Sequence, residues 1–236
     1  MTPNMAKRSV LSGDLMILFA IALVDVLLHI LFSGQYGFHR NELDIVMNAH
    51  QLDWGYVAYS PLTPLVARLG LELFGPSLVG LRLVPALGRG IVVLLTGLMA
   101  RDMGGGRFAQ ALAAVAATIS PVALTTGLLM QYMSFDYLGR VVAAFCVVRL
   151  LKTDNPQWWV GIGAALGLGM LTKYTIAFFA IGLAAGIPLS PARRYLRSPW
   201  LWAGVGLAGR ADLSFPTLFW AGSVRESFQC PEEHRS

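Results

Sequence analysis

An all-α, multi-pass helical membrane fold is the class this sequence predicts, and three observations predict it. Of 236 residues, 56% are hydrophobic and only 13% charged, with a mean hydropathy of +0.60. That is too little charge to cover the surface of a soluble domain of this size. The polar residues gather between apolar runs that approach the roughly 20 residues a bilayer-crossing helix needs. The basic residues fall in clusters at alternate run ends: Lys7 and Arg8, Arg101 and Arg107, Arg149 and Lys152, then Arg193, Arg194 and Arg197. With six spans these clusters share one side, which the positive-inside rule makes cytoplasmic. The net charge of +5 and pI of about 9.5 are therefore a topology signal, and nucleic acid is not an expected partner.

The first run, "DLMILFAIALVDVLLHILFSG", is too long for a signal-peptide core and lacks a small-residue cleavage site, so it predicts a retained helix over 14–33. Further spans are predicted over 78–100, 108–130, 136–151, 158–172 and 174–190, with a seventh starting near Trp200. The N-terminus is then cytoplasmic. An outer loop over 35–77, the "QYMSFD" turn and "TKY" at 172–174 face the opposite compartment. Within the loop, Leu43, Val46, Met47 and His50 recur at helical spacing and predict a short amphipathic helix on the membrane surface. "PLTPLVARLGLELFG" predicts a second, begun by proline, and Gly75-Pro76 marks the turn into the next span. Cys146, inside an apolar run, and Cys230, in the tail, make neither a disulfide framework nor a zinc pattern.

Some ionisable groups lie within runs. Asp25 and His29 are one turn apart in the first helix, placed to hydrogen-bond each other. Arg89 is deep in the second helix and Arg140 near the start of the fourth. Charge inside a membrane is costly, and an Asp–Arg pair within the bundle is the structural account of these residues. A transporter-like pathway is the alternative, but the sequence shows none of the repeats and paired broken helices typical of transporters.

The outer-side segments bring Arg40 to Asp53, Gln131 to Asp136, and Lys173 to one surface. Cations there can neutralise a phosphate, and a carboxylate can accept a hydroxyl proton. Such a set suits a lipid-borne phosphate substrate.

"YGFHRNELDIVMNAHQLDWGYVAYSPLTPLVARL", "GPSLVGLRLVPAL", "ARDMGGGRFAQALAA", "SFDYL", "GLGMLTKYTIAFF" and "PARRYLRSPWLW", taken in order, resemble one group of integral-membrane glycosyltransferases. It is the dolichyl-phosphate-mannose–protein mannosyltransferase-like group, glycosyltransferase family 39. The likeness is nearest to the bacterial branch whose members transfer aminoarabinose or galacturonic acid to lipid A or core sugars, and it runs from about residue 14 to 208. The resemblance implies a GT-C type fold in the inner (cytoplasmic) membrane with its site facing the periplasm or outside. It also implies a polyprenyl-phosphate sugar donor, a lipid, glycan or protein acceptor, and inversion at the anomeric carbon.

The family's first outer loop carries an Arg-Asp-Glu-Leu type motif whose aspartate is the expected base. The matching residues here are Arg40, Asn41, Glu42 and Leu43. Asn41 stands in the aspartate's place, and an amide has no basic oxygen. Asp44, three residues on, is rotated by about 300° and raised by about 4.5 Å, and is the candidate replacement base. On this reading Arg40 and Lys173 hold the donor phosphate, and Tyr56 and Tyr59 line the mouth. Glu42 and Asp136 position substrate or a divalent metal ion, the cofactor this residue set would take. Ser60 replaces the first proline of the family's Pro-Pro pair. Family members run well beyond this length. Residues 1–208 thus read as the N-terminal transmembrane part of such an enzyme, and 209–236 as a divergent, truncated tail. A catalytically dead membrane remnant is the further alternative.

Overall fold

The computed structural model describes residues 3–35, 37–53, 56, 60–189 and 191–213. Every regular element among them is helical. The helices are α1 (Pro3–Ser33), α2 (Arg40–His50), α3 (Leu62–Phe74), α4 (Leu78–Asp102), α5 (Arg107–Ile119), α6 (Pro121–Leu128), α7 (Tyr132–Thr153), α8 (Trp158–Met170), α9 (Ile176–Leu189) and α10 (Pro199–Leu213). A 3-10 turn, Pro191–Arg197, joins α9 to α10.

The 13–33 stretch of α1, 21 residues with a mean hydropathy of 2.7, and α4, with 25 residues at 1.9, are long and apolar enough to cross a membrane. α1 buries Leu18, Ala22, Asp25, His29 and Ser33 on one stripe and leaves Met16, Phe19, Leu23, Leu27 and Leu31 exposed. The buried stripe meets α4 and α5 through Val93 and Ala114. Glycines on α4 permit the approach: a Cβ at Gly90 would stand 2.7 Å from the Val26 side chain, and one at Gly97 would overlap Leu18. Such small-residue contacts let membrane helices pack backbone to backbone.

The run predicted as one span over 108–130 is two helices. Pro121 has no N–H to continue the ladder and disfavours helical geometry in the residue before it. Ser120 is accordingly extended (φ −65°, ψ 138°), and α6 starts afresh. α1 starts at Pro3, well before the expected 14; the other boundaries fall near those expected, with α10 continuing to Leu213 beyond the Gly209-Arg210 break. α5, α8 and α9 have 13, 13 and 14 residues. At about 1.5 Å per residue each reaches roughly 20 Å, short of a 30 Å hydrocarbon core.

The second half packs around α7 and α8. Ala143, Cys146 and Leu150 meet Trp159, Ile162, Ala165 and Leu201. α8 and α10 cross in contact at Gly163 and Gly204, where a Cβ on either would collide with the other helix's backbone. Asp154 ends α7 in the left-handed conformation (φ 53°).

Candidate active site

α2 is set by its first turn. The His39 imidazole accepts from the Asn41 N–H at 3.3 Å, and the Glu42 carboxylate accepts from the His39 N–H at 2.9 Å. This reciprocal cap satisfies two orphan donors of the helix start. The helix then buries Glu42, Ile45 and Ala49. The apolar stripe read from the sequence lies on another face: Leu43 is 47% and Met47 68% exposed.

Glu42 is wholly buried and ties the start of α2 to α4 and to the segment at Met130. Its Oε1 accepts from Arg82 Nε at 2.9 Å and from the Met130 N–H at 3.0 Å. Its Oε2 accepts from the second Arg82 nitrogen at 2.6 Å and from His39. Arg82, on α4 and equally buried, also donates to the Ser33 and Gly37 carbonyls. Burial works against ionisation of Glu42. The Arg82 hydrogen bonds, those from His39 and Met130, and the Arg82 charge outweigh it, so the carboxyl lies below its ordinary value of 4.5. Both oxygens are committed twice over, and the structure gives Glu42 the role of an anchor for the outer loop. Arg82 went unremarked in the sequence because nothing local signals a partner 40 residues away.

A second group forms where α7 begins and α8 turns into α9. Asp136 pairs through Oδ2 with Arg140 at 2.8 Å and accepts from Thr175 at 3.3 Å, while its buried Oδ1 makes no hydrogen bond. Lys173 Nζ lies 4.0 Å from the centroid of the Tyr132 ring, one helical turn before Asp136. The outer loop is stitched to this group by backbone bonds: Leu62 N–H to the Leu171 carbonyl at 3.1 Å, and Ser60 N–H to the Thr172 carbonyl at 3.4 Å. Through these bonds and Met130, the three segments expected at one surface meet.

The remaining first-loop residues are disposed differently. Arg40, Asn41 and Asp44 are exposed at the start of α2. The Tyr56 hydroxyl accepts from the Asp53 N–H at 2.8 Å and lies 3.1 Å from the Gln51 carbonyl, closing the end of α2 rather than standing free. Tyr59 lies outside the described residues. Beside Arg82, a cavity of about 420 Å³ opens between the end of α1 and α6, lined by Phe32, Phe38, His39, Leu128 and Leu129 among others. Among the described residues no group of three His, Cys, Asp or Glu side chains is placed to hold a metal ion. Glu42 has no free coordinating oxygen, so a two-carboxylate metal site with Asp136 does not fit this arrangement.

The ionisable groups within the runs are partnered in part. Asp25 Oδ1 lies 3.6 Å from an Arg89 guanidinium nitrogen, which also donates to the Ala117 carbonyl at 3.0 Å. His29 Nδ1 bonds the Asp25 backbone carbonyl at 2.7 Å, and the Asp25 carboxylate is 3.7 Å away. The expected side-chain bond between Asp25 and His29 is thus replaced by a bond to the main chain.

A family model described as dolichyl-phosphate-mannose-protein mannosyltransferase matches residues 58–220, well over half of the chain. The chain belongs to this family. The mannosyltransferase-family match contains Tyr59, Arg82, Asp136 and Lys173, whereas Arg40 to Asp44 and Tyr56 precede it. A relative from Pseudomonas fluorescens, undecaprenyl phosphate-alpha-4-amino-4-deoxy-L-arabinose arabinosyl transferase 1, is 31% identical over 160 residues. The aligned part is 66% of this chain and 28% of that relative, so the match spans under a third of the relative's length. No solved structure matches it significantly.

Proposed function

We propose that the chain forms the donor-site part of a membrane glycosyltransferase, corresponding to residues 1–208 of an enzyme that is longer in its relatives. It would transfer a sugar from a polyprenyl phosphate to a lipid, glycan or protein hydroxyl at the outer face of the cytoplasmic membrane. One observation carries the reading. A buried carboxylate oxygen of Asp136 makes no hydrogen bond, one helical turn past the Tyr132 ring over which Lys173 lies, in a chain of this family. An unsatisfied buried acceptor is costly, and a sugar hydroxyl donating to Asp136 would relieve it. The Lys173 ammonium would then face the donor phosphate. The relative's printed name, with its undecaprenyl phosphate aminodeoxyarabinose, supports that class of donor.

Membrane insertion is supported by the apolar side chains that α1 turns outward, such as Met16 at 71% and Leu31 at 68% exposure. A soluble protein rarely shows so continuous an apolar face. The one-sided basic clusters support a cytoplasmic N-terminus and an outward-facing site.

In the transfer, the acceptor oxygen attacks the anomeric carbon opposite the phosphate. The bond from the anomeric carbon to the phosphate oxygen breaks, its electron pair leaving on the polyprenyl phosphate, which Lys173 and Arg40 stabilise. The acceptor proton passes to a carboxylate. Asp44 is the exposed carboxylate of α2, whereas Asn41 cannot take the proton. Glu42 and Arg82 hold the backbone from which Arg40, Asn41 and Asp44 project.

Donor binding tests the reading. Losing one charge-assisted hydrogen bond of about 1.5–3 kcal/mol predicts a Kd raised roughly 10- to 150-fold in Lys173→Ala, with partial retention in Lys173→Arg. A polyprenyl-phosphate sugar that binds both variants as tightly as the parent chain would overturn it.

A further inference from the structure

The 3-10 turn Pro191–Arg197 has no part in the site above, yet it is built with care. Side chains three apart on such a turn eclipse one another, so each row of the turn faces one way. Tyr195 faces inward: it is buried, its ring meets Trp159 edge-on at 6.4 Å, and its hydroxyl donates to Asp154 at 2.6 Å. Arg194 bonds the same carboxylate. Asp154, fixed in its left-handed conformation at the end of α7, therefore clamps the turn and neutralises one of its three arginines.

With the Tyr195 row turned in, the Arg194–Arg197 and Arg193–Leu196 rows are left outside. Arg193, Leu196 and Arg197 are exposed and, with Arg194, line a cavity of about 700 Å³. The Arg193 and Arg197 side chains make no hydrogen bond or ion pair among the described residues. Apolar groups frame the arginines. Trp202 donates its indole N–H to the Leu196 carbonyl at 3.2 Å and leaves 62% of its surface exposed, Trp200 is 41% exposed and Leu189 89%. Tryptophans favour the headgroup level of a bilayer, and a guanidinium matches a phosphate with paired donors.

We infer that this basic turn is a docking site for an anionic phospholipid of the inner leaflet. The lipid phosphate takes Arg193 and Arg197, and its acyl chains lie along Leu196, Leu189 and the exposed tryptophans. With Asp154 subtracted from three arginines, the surface keeps two uncompensated charges, which favours a lipid of net negative charge over a zwitterionic one bearing the same phosphate. The site rests on the membrane reading above and shares no residue with the donor site. A lipid held there would fix the packing of α9 and α10 on α8.

The test uses the full chain in detergent, with bromine-labelled phosphatidylglycerol or phosphatidylcholine quenching its tryptophans. Saturable quenching by phosphatidylglycerol is expected at much lower concentration than by phosphatidylcholine. At about fivefold per arginine, Arg193→Gln with Arg197→Gln should weaken it roughly 30-fold. The doubly Lys-substituted chain should keep most of the affinity, and Arg68→Gln, on α3, should keep all of it. Equal quenching by the two lipids, or unchanged affinity in the Gln variant, would overturn the inference. So would full protection by inorganic phosphate alone, which would mark a free-phosphate site. Alkaline carbonate extraction of the parent chain separates the two ideas: release from membranes defeats the membrane reading itself, whereas retention without lipid selectivity defeats only this site.

Discussion

Arg82→Ala is the perturbation that most sharply probes how the outer loop is held. The wild-type guanidinium makes two bonds to Glu42, at 2.9 and 2.6 Å, and closes the Ser33 and Gly37 carbonyls. Its removal leaves a wholly buried carboxylate with only the His39 and Met130 N–H groups. Breaking a buried pair by deleting one partner costs about 3–5 kcal/mol. For a chain of this size that predicts a fall in apparent Tm of roughly 6–20 °C. The assay is thermal unfolding of detergent-purified protein, followed by light scattering or by reactivity of the buried Cys146 thiol. A double variant, Glu42→Met with Arg82→Met, should lose less than Arg82→Ala, because no charge is stranded. The pair also sets a pH dependence. Glu42's carboxyl is depressed in the folded chain, so its contribution is fully present above the ordinary value of 4.5 and lost as pH falls through the lower native value. Arg82→Ala with an unchanged Tm, or a double variant worse than the single, would refute the anchoring role.

Other outcomes follow from the same structure. With both native cysteines replaced, an impermeant outside reagent should modify Gln51→Cys and spare Gly106→Cys. Gly106 suits the test because an added Cβ meets nothing within 4 Å there, whereas one at Gly105 would stand 2.7 Å from the Ala100 carbonyl oxygen. The reverse labelling would invert the topology. Asp25→Asn removes the counter-charge of Arg89, which is only 2% exposed, and should lower the yield of folded protein several-fold while leaving donor affinity per folded molecule unchanged. Normal yield with lost donor affinity would move Asp25 into the binding machinery.

Much of the fold was legible because long apolar runs leave few choices. α1 and α4 fall where hydropathy placed them, and Pro61 precedes α3 as expected. The split between α5 and α6 was written in Pro121, but the continuous apolar character over 108–130 masked it. The face that α2 buries, through Glu42, Ile45 and Ala49, was not marked by the apolar periodicity, because Leu43 and Met47 lie on another, exposed face. Glu42 looked like a site carboxylate because of its neighbours in the chain. Its partner Arg82 and the donating Met130 N–H are brought to it only by tertiary folding. The capping signal was hidden as well, since histidine takes the place usual for serine or threonine. The meeting of the three outer segments followed from topology alone, whereas the free Oδ1 of Asp136 had to be seen.

A single donor site assembled from those segments is tested most directly by mapping a crosslinked donor analogue. A polyprenyl phosphate bearing a photoreactive group next to the phosphate would be activated in membranes containing the chain, and the labelled peptides identified by mass spectrometry. Labels should concentrate in 40–44, 131–137 and 172–175, and should fall sharply in Lys173→Ala. Labels confined to α9 and α10, or an unchanged pattern and yield in Lys173→Ala, would contradict it.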